Sequence, residues 1–244
     1  MLEKINILGV NVDNVTMDAA VCKVLDFLNE DVPHAVFTPN SEIIMSAYND
    51  EEFCRQLNDA SLVVPDGIGV VYASRILKAP LPERVAGFDL ATNLIKKLSG
   101  GQKSFYFFGG KPGIAEKAKE NLLSQYPSLN ICGLSDGYYD EEKEKLIIED
   151  IKQKKPDILF VCLGAPKQEK WINKYKNELG AKVLMGIGGS LDVFAGNVER
   201  APQFYRNHGI EWLYRLLKQP SRFVRMLALP KFGLTVLFKG KRLR

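Results

Sequence analysis

Five segments of this 244-residue chain combine hydrogen-bonding side chains with glycines in a way that suits phosphate chemistry. They are Thr38-Pro39-Asn40-Ser41-Glu42, Pro65-Asp66-Gly67-Ile68-Gly69, Gly109-Gly110-Lys111-Pro112-Gly113, Gly164-Ala165-Pro166-Lys167-Gln168-Glu169 and Gly186-Ile187-Gly188-Gly189-Ser190-Leu191-Asp192. Several feed expected helix N-termini, where free backbone N–H groups and the helix dipole favour an anion. The ligand class this predicts is a phosphorylated small molecule. Each segment also has a purely structural reading. Asn40 and Ser41 are N-cap types, Asp66 before Gly67 suits an Asx-turn, and Gly109-Gly110 suits a tight turn. Residues 109–113 lack the GxxxxGK[ST] of a P-loop, and the glycines at 186–189 follow the last strand, where a dinucleotide fingerprint follows the first.

No Asp-x-Asp occurs, and the only histidines are His34 and His208. Asp140-Glu141-Glu142 reads as a dipole-matched helix start. Neither a metal nor a cofactor is therefore expected. A departing phosphate must then be neutralised by Arg, Lys or backbone N–H, with Arg84, Arg200 and the C-terminal arginines as candidate cations.

The elements that must position these segments alternate. Short apolar or β-branched runs at 34–38, 61–64, 104–108, 129–134, 157–163 and 183–187 predict buried strands. Helical stretches are predicted at 17–29, 42–49, 51–58, 68–77, 90–98, 113–125, 141–154 and 167–179, with Thr16 as an N-cap and Pro112 and Pro166 at helix starts. The class is α/β: a Rossmann-like, mostly parallel sheet with helices on both faces. In such a sheet ligands bind beyond the carboxyl ends of the strands, which is where the five segments fall. Cys22, Cys54, Cys132 and Cys162 lack CxxC spacing and read as small core residues in a reducing compartment.

Charge divides the chain. The net charge is +4, yet residues 201–244 hold ten of the 33 basic side chains and only one of the 29 acidic ones, Glu211. A mildly acidic body, residues 1–200, thus carries a strongly basic appendage, residues 201–244, which predicts a polyanionic partner. Pro202, Pro220 and Pro230 are expected to cut the appendage into short helices. Projected as one helix, residues 213–227 place Arg215, Lys218, Arg222 and Arg225 on one arc and Leu213, Leu216, Leu217, Phe223, Val224 and Leu227 on the other. The apolar arc must be covered by membrane, by the body or by another subunit, so a homo-oligomer stays open. Met1-Leu2-Glu3-Lys4-Ile5-Asn6 has no signal-peptide core, and no apolar run approaches the ~18 residues of a membrane span. The expected location is cytoplasmic.

The segments above, with Glu83-Arg84-Val85-Ala86-Gly87, Arg200-Ala201-Pro202 and Glu211-Trp212-Leu213-Tyr214-Arg215, occur in an order that resembles the WecG/TagA/CpsF glycosyltransferases (glycosyltransferase family 26), especially the branch serving wall teichoic acid. The resemblance covers essentially the whole chain. It implies transfer of N-acetylmannosamine, or a related sugar, from a UDP-sugar donor to a polyprenyl-diphosphate-GlcNAc acceptor. It also implies a β-1,4 linkage formed with inversion, no metal, and work at the inner face of the plasma membrane. On that reading Asp66 is the general base, while Thr38, Asn40 and Gln168 orient sugar or diphosphate. Arg84 neutralises the diphosphate, and Asp192 accepts from uracil or ribose. Gly109, Gly110, Gly188 and Gly189 bind substrate, and Arg215, Arg222 or Arg225 close over a diphosphate while the appendage docks on anionic lipid. A nucleic-acid-binding protein fits less well, because the basic arc adjoins Leu and Phe with no stacking platform. A nucleotide-dependent oxidoreductase lacks its early GxGxxG.

Overall fold

The computed structural model describes residues 2–218, 220 and 223–240, without the side chains of residues 206, 207, 215, 224 and 225. It opens with a β-hairpin that the sequence reading did not contain. Strand β1 (Lys4–Ile7) pairs antiparallel with β2 (Val10–Asp13). Ile5, Ile7, Val10 and Val12 alternate with polar neighbours and are all buried. The loop Leu8-Gly9 has positive φ at both positions, 53° and 96°, the backbone hand that matches strand twist in a two-residue turn. The hairpin closes the sheet edge: the Asp13 carboxylate accepts from the Val63 N–H at 2.7 Å.

The main sheet has six strands, all parallel: β3 (His34–Phe37), β4 (Leu62–Val63), β5 (Ser104–Gly109), β6 (Asn130–Ser135), β7 (Ile158–Cys162) and β8 (Val183–Gly186), in the order β4-β3-β8-β7-β5-β6. All five residues of β7 are buried. Leu159 and Val161 enter one core cluster, while Ile158, Phe160 and Cys162 enter the other. Period-two alternation therefore survives inside a run with no polar residue, as a sheet covered on both faces requires. One cover consists of α2 (Ser41–Tyr48), α3 (Glu51–Asn58), α4 (Ile68–Ile76), α7 (Glu141–Lys154) and α8 (Lys167–Tyr175). The other consists of α1 (Met17–Phe27), α5 (Gly87–Lys97), α6 (Ile114–Gln125) and α9 (Ser190–Phe194). Thr16 caps α1 by accepting from Ala19 N–H, and Asp140 caps α7 by accepting from Lys143 N–H.

Three local expectations change. Pro112 precedes α6, but Gly113, with φ 85°, is its N-cap. Of the four cysteines only Cys162 is buried; Cys22 is exposed, because α1 buries Ala20, Val21, Val24 and Phe27 and turns position 22 outward. The projected helix over 213–227 is divided between α11 (Glu211–Lys218) and α12 (Phe223–Met226), after the short α10 (Gln203–Asn207). Pro220 lies in the break, so Arg215 and Lys218 stand on a different helix from Arg225, and Arg222 lies outside the described residues. Pro230, by contrast, interrupts nothing. It is the third residue of α13 (Ala228–Lys239), in the first turn, where a missing N–H leaves no acceptor unsatisfied.

Helix α13 has two apolar faces. Phe232 and Val236 are buried in the cluster shared with α2 and α4. Leu234, Leu237 and Phe238 point outward, Phe238 being 76% exposed. Among the described residues no helix is long and apolar enough to cross a membrane.

At the opposite end of β3, His34 stacks on Phe27 at 3.9 Å and its Nδ1 meets the Ser61 hydroxyl at 3.0 Å. Burial pushes its pKa below the ordinary 6.5, although the Glu30 carboxylate, 3.1 Å from Nε2, pulls the other way; Lys23 adds to the lowering. Folding thus favours the neutral ring, and the unfolded chain protonates first. This contribution is complete above pH 6.5 and is lost as pH falls below that value. Thermal melts at neutral and mildly acidic pH should show a smaller acid-induced fall in Tm for His34→Phe than for the wild type.

Candidate functional site

The carboxyl ends of β3, β4, β7 and β8 open into one cleft of about 1750 Å3, roofed by the appendage. Its polar end is knitted together by backbone. Asp66 N–H donates to Pro39 O at 3.3 Å and Val85 N–H to Pro65 O at 2.8 Å. The segments after β3 and β4 and the one leading into α5 are thus tied to one another.

Within that frame each side chain has a defined residual capacity. Asn40 is the N-cap of α2, its amide oxygen accepting from Glu42 and Ile43 N–H at 2.9 and 3.0 Å. The structural reading of Asn40 is thus correct, and only its NH2 remains to donate into the cleft. Thr38 is buried and its hydroxyl donates to Gly186 O at 3.3 Å, which leaves its oxygen lone pairs. Gln168 is also buried. Its Oε1 accepts from Gly188 N–H at 3.0 Å and its Nε2 donates to the Glu169 carboxyl at 2.8 Å. That pair of bonds fixes the amide orientation and holds the 188–189 turn. Glu169, which was not among the expected site residues, is buried too, and burial raises its pKa; its position directly after Gln168 was the available signal.

Asp66 lines the cleft with a partly exposed carboxylate. Oδ2 accepts from Gly87 N–H at 3.3 Å and Oδ1 lies 3.8 Å from Arg84 Nε. The other side of the guanidinium reaches the appendage: Arg84 Nη2 donates to Glu211 Oε2 at 3.0 Å. The appendage's one acidic residue therefore meets the cation beside Asp66. Gly188, Gly189 and Asp192 line the cleft as expected, and so does Lys111, an unforeseen cation. Arg200, a second expected cation, is paired with Asp89 and lies over the Phe88 ring at 4.9 Å. Helices α4 and α8 both begin at the cleft without a side-chain cap. Val70 N–H donates to Gly67 O and Gln168 N–H to Gly164 O, which leaves the N–H groups of Ile68 and Gly69 in α4 and of Lys167 in α8 for an anion.

Gly109 and Gly110 do not line the cleft. Gly110 N–H donates to Cys162 O at 3.2 Å, and Gly110 O accepts from Gly137 N–H at 2.8 Å. The tight-turn reading therefore describes them, and the cleft-lining role falls to their neighbour Lys111. Of the appendage arginines, Arg222 lies outside the described residues, and for Arg215 and Arg225 only the backbone, in α11 and α12, is described.

Residues 5–244 match the model of the glycosyl transferase WecG/TagA/CpsF family. An N-acetylglucosaminyldiphosphoundecaprenol N-acetyl-beta-D-mannosaminyltransferase of Bacillus spizizenii is 38% identical over 211 residues, 86% of this chain and 81% of the relative. The Bacillus subtilis enzyme of that name is 37% identical over 88% of this chain and 83% of its own length. One from Staphylococcus aureus is 38% identical over 94% of this chain and 90% of its own length.

A Cβ at Gly109, where φ is 130°, would stand 2.4 Å from Cys162 O. Gly109→Ala should cost about 3 kcal/mol of stability, from backbone strain and overpacking together, measured by denaturant unfolding. An unchanged midpoint would return Gly109 to the list of ligand-facing residues.

Proposed function

Because this chain belongs to the WecG/TagA/CpsF glycosyl transferase family, we propose that it transfers N-acetylmannosamine from UDP-N-acetylmannosamine to N-acetylglucosaminyl-diphosphoundecaprenol, forming the β-1,4 linkage of the wall teichoic acid linkage unit. The relatives' names supply the acceptor and the sugar. The observation that carries the mechanism is Asp66, a carboxylate in the cleft with Arg84 Nε at 3.8 Å. An α-linked donor and a β-linked product require one inverting displacement. Asp66 takes the proton from the acceptor hydroxyl as its oxygen attacks the anomeric carbon.

The departing UDP gains charge on its diphosphate. Arg84, Lys111 and the open N–H groups at the start of α4 and α8 supply the compensating positive field without a metal. The Asn40 NH2 and the Thr38 oxygen face the sugar from the floor, and Gln168 acts by holding the 188–189 turn. Asp192 accepts from the ribose or uracil. Arg215, Arg222 and Arg225 add positive charge when the appendage closes.

The appendage, residues 201–244, also docks the enzyme on the inner face of the plasma membrane. Support comes from its charge, ten basic side chains against one acidic, and from the outward face of α13, where Leu234, Leu237 and Phe238 are exposed. Each basic residue near an anionic surface contributes about 1 kcal/mol.

Asp66→Asn should lower kcat by a factor on the order of 10² to 10⁴, the span of general base catalysis, with KM for the donor little changed. UDP release by the wild type should depend on the acceptor and ignore EDTA. Near-normal kcat in a folded Asp66→Asn protein would remove Asp66 from its role. Phe238→Asp should weaken sedimentation with phosphatidylglycerol-rich vesicles by about tenfold, the loss of one buried aromatic ring.

A further inference from the structure

The cleft has a second arm that the polar chemistry does not use. It runs between α4 and α13. Gly69, Tyr72, Ala73 and Ile76 line it from α4, and Leu229, Phe232, Gly233 and Val236 line it from α13. Both sets repeat at i, i+3, i+4, i+7, so each helix turns one apolar stripe toward the other. The stripes do not close on each other along their length. A Cβ built at Gly233 meets nothing within 4 Å, whereas one at Gly240 would stand 2.7 Å from Leu77 Cδ2. Tyr72 remains 50% exposed and Ile76 39% exposed although α13 stands opposite. The helices thus form a wedge, closed where their C-terminal ends meet and open toward Asp66. From Gly69 to Ile76 the wedge extends about 10 Å, at 1.5 Å per residue.

We propose that this wedge receives the first isoprenoid units of the lipid carried by the acceptor diphosphate. The inference rests on the acceptor assigned above and adds a subsite to it. Polarity runs the right way. The uncapped N-terminus of α4, beside Asp66 and Arg84, suits a diphosphate, and the apolar stripe of the same helix leads away from it. A molecule with an anionic head and a hydrocarbon chain meets those two surfaces in that order. The wedge ends at Leu77 and Gly240, so it takes a limited length of chain, and the rest of the lipid must leave past the rim.

The test measures binding of geranyl, farnesyl and geranylgeranyl diphosphates to the full chain below their micellar concentrations. Wild-type affinity should rise with chain length and then level off. Gly233→Leu fills the wedge from a helical position with open space, and Ile76→Ser removes one wall. Either variant should weaken the longer ligands by about tenfold, the worth of burying one aliphatic side chain, and flatten the dependence on length. Thermal melts establish that at least one variant is folded. Affinity independent of chain length in the wild type would overturn the proposal. So would a dependence on length that both folded variants retain, since the outward face of α13 is intact in each. Turnover assays separate the two readings. A length-dependent affinity that the variants abolish, with no UDP release from any lipid-diphosphate-GlcNAc, keeps the wedge and overturns the assigned reaction.

Discussion

A sheet with no wet face confines the chemistry of this molecule to its rim. Every residue of β7 and β8 is buried, and burying a polar group there without a partner would cost several kcal/mol. Hydrogen-bonding side chains are therefore displaced to the strand ends, and parallel pairing puts all the carboxyl ends on one side. The order β4-β3-β8-β7-β5-β6 brings the ends of β3, β4, β7 and β8 around a common space. The cleft follows from the topology before any catalytic residue is considered. Thr38 and Gln168, both buried, show how tightly the rim is governed by the same rule. Each is tied to backbone polar groups at the end of β8.

The sequence was informative where burial on two faces left an unbroken mark. All six sheet strands and eight helices were legible as short apolar runs alternating with amphipathic ones, and α3 and α7 match residue for residue. The hairpin β1–β2 leaves little mark in the sequence, because a four-residue strand carries only two apolar positions and its Leu8-Gly9 turn lacks the Asn-Gly or Asp-Gly signal. The appendage departs from its sequence pattern for another reason. A proline breaks a helix only in its interior: Pro230 sits in the first turn of α13, while Pro220 sits in the break between α11 and α12. Residue type announces the penalty; only position along the helix decides whether it applies.

The site divides in the same way. Asp66, Arg84 and Asp192, singled out from the motifs in the sequence, all line the cleft, Asp66 and Asp192 because their segments follow the carboxyl ends of β4 and β8. Glu169 and Glu211 were not singled out, because each acts through another side chain. Glu169 holds Gln168 at 2.8 Å, and Glu211 holds Arg84 at 3.0 Å. The contact of Glu211 with Arg84 joins positions 127 residues apart, which no local pattern encodes, whereas Glu169 bonds its own sequence neighbour and only its burial is hidden in the sequence. Gly109 and Gly110 err in the opposite direction, since a glycine pair looks alike whether it cradles a ligand or packs on the Cys162 carbonyl.

The contact between Arg84 and Glu211 has an electrical consequence. By binding Glu211 inward to Arg84, the appendage holds its one acid at the cleft, while its ten basic side chains leave residues 201–244 strongly positive. The body carries the opposite net sign, so the whole molecule is a dipole. Near an anionic surface a dipole experiences torque before it experiences contact. The protein would turn appendage-first while still a Debye length or so away, roughly 8 Å at physiological salt. Since Glu211 pins α11 at the cleft mouth, the same rotation brings the mouth toward that surface. Orientation and approach become a single event, and raising the salt should uncouple them.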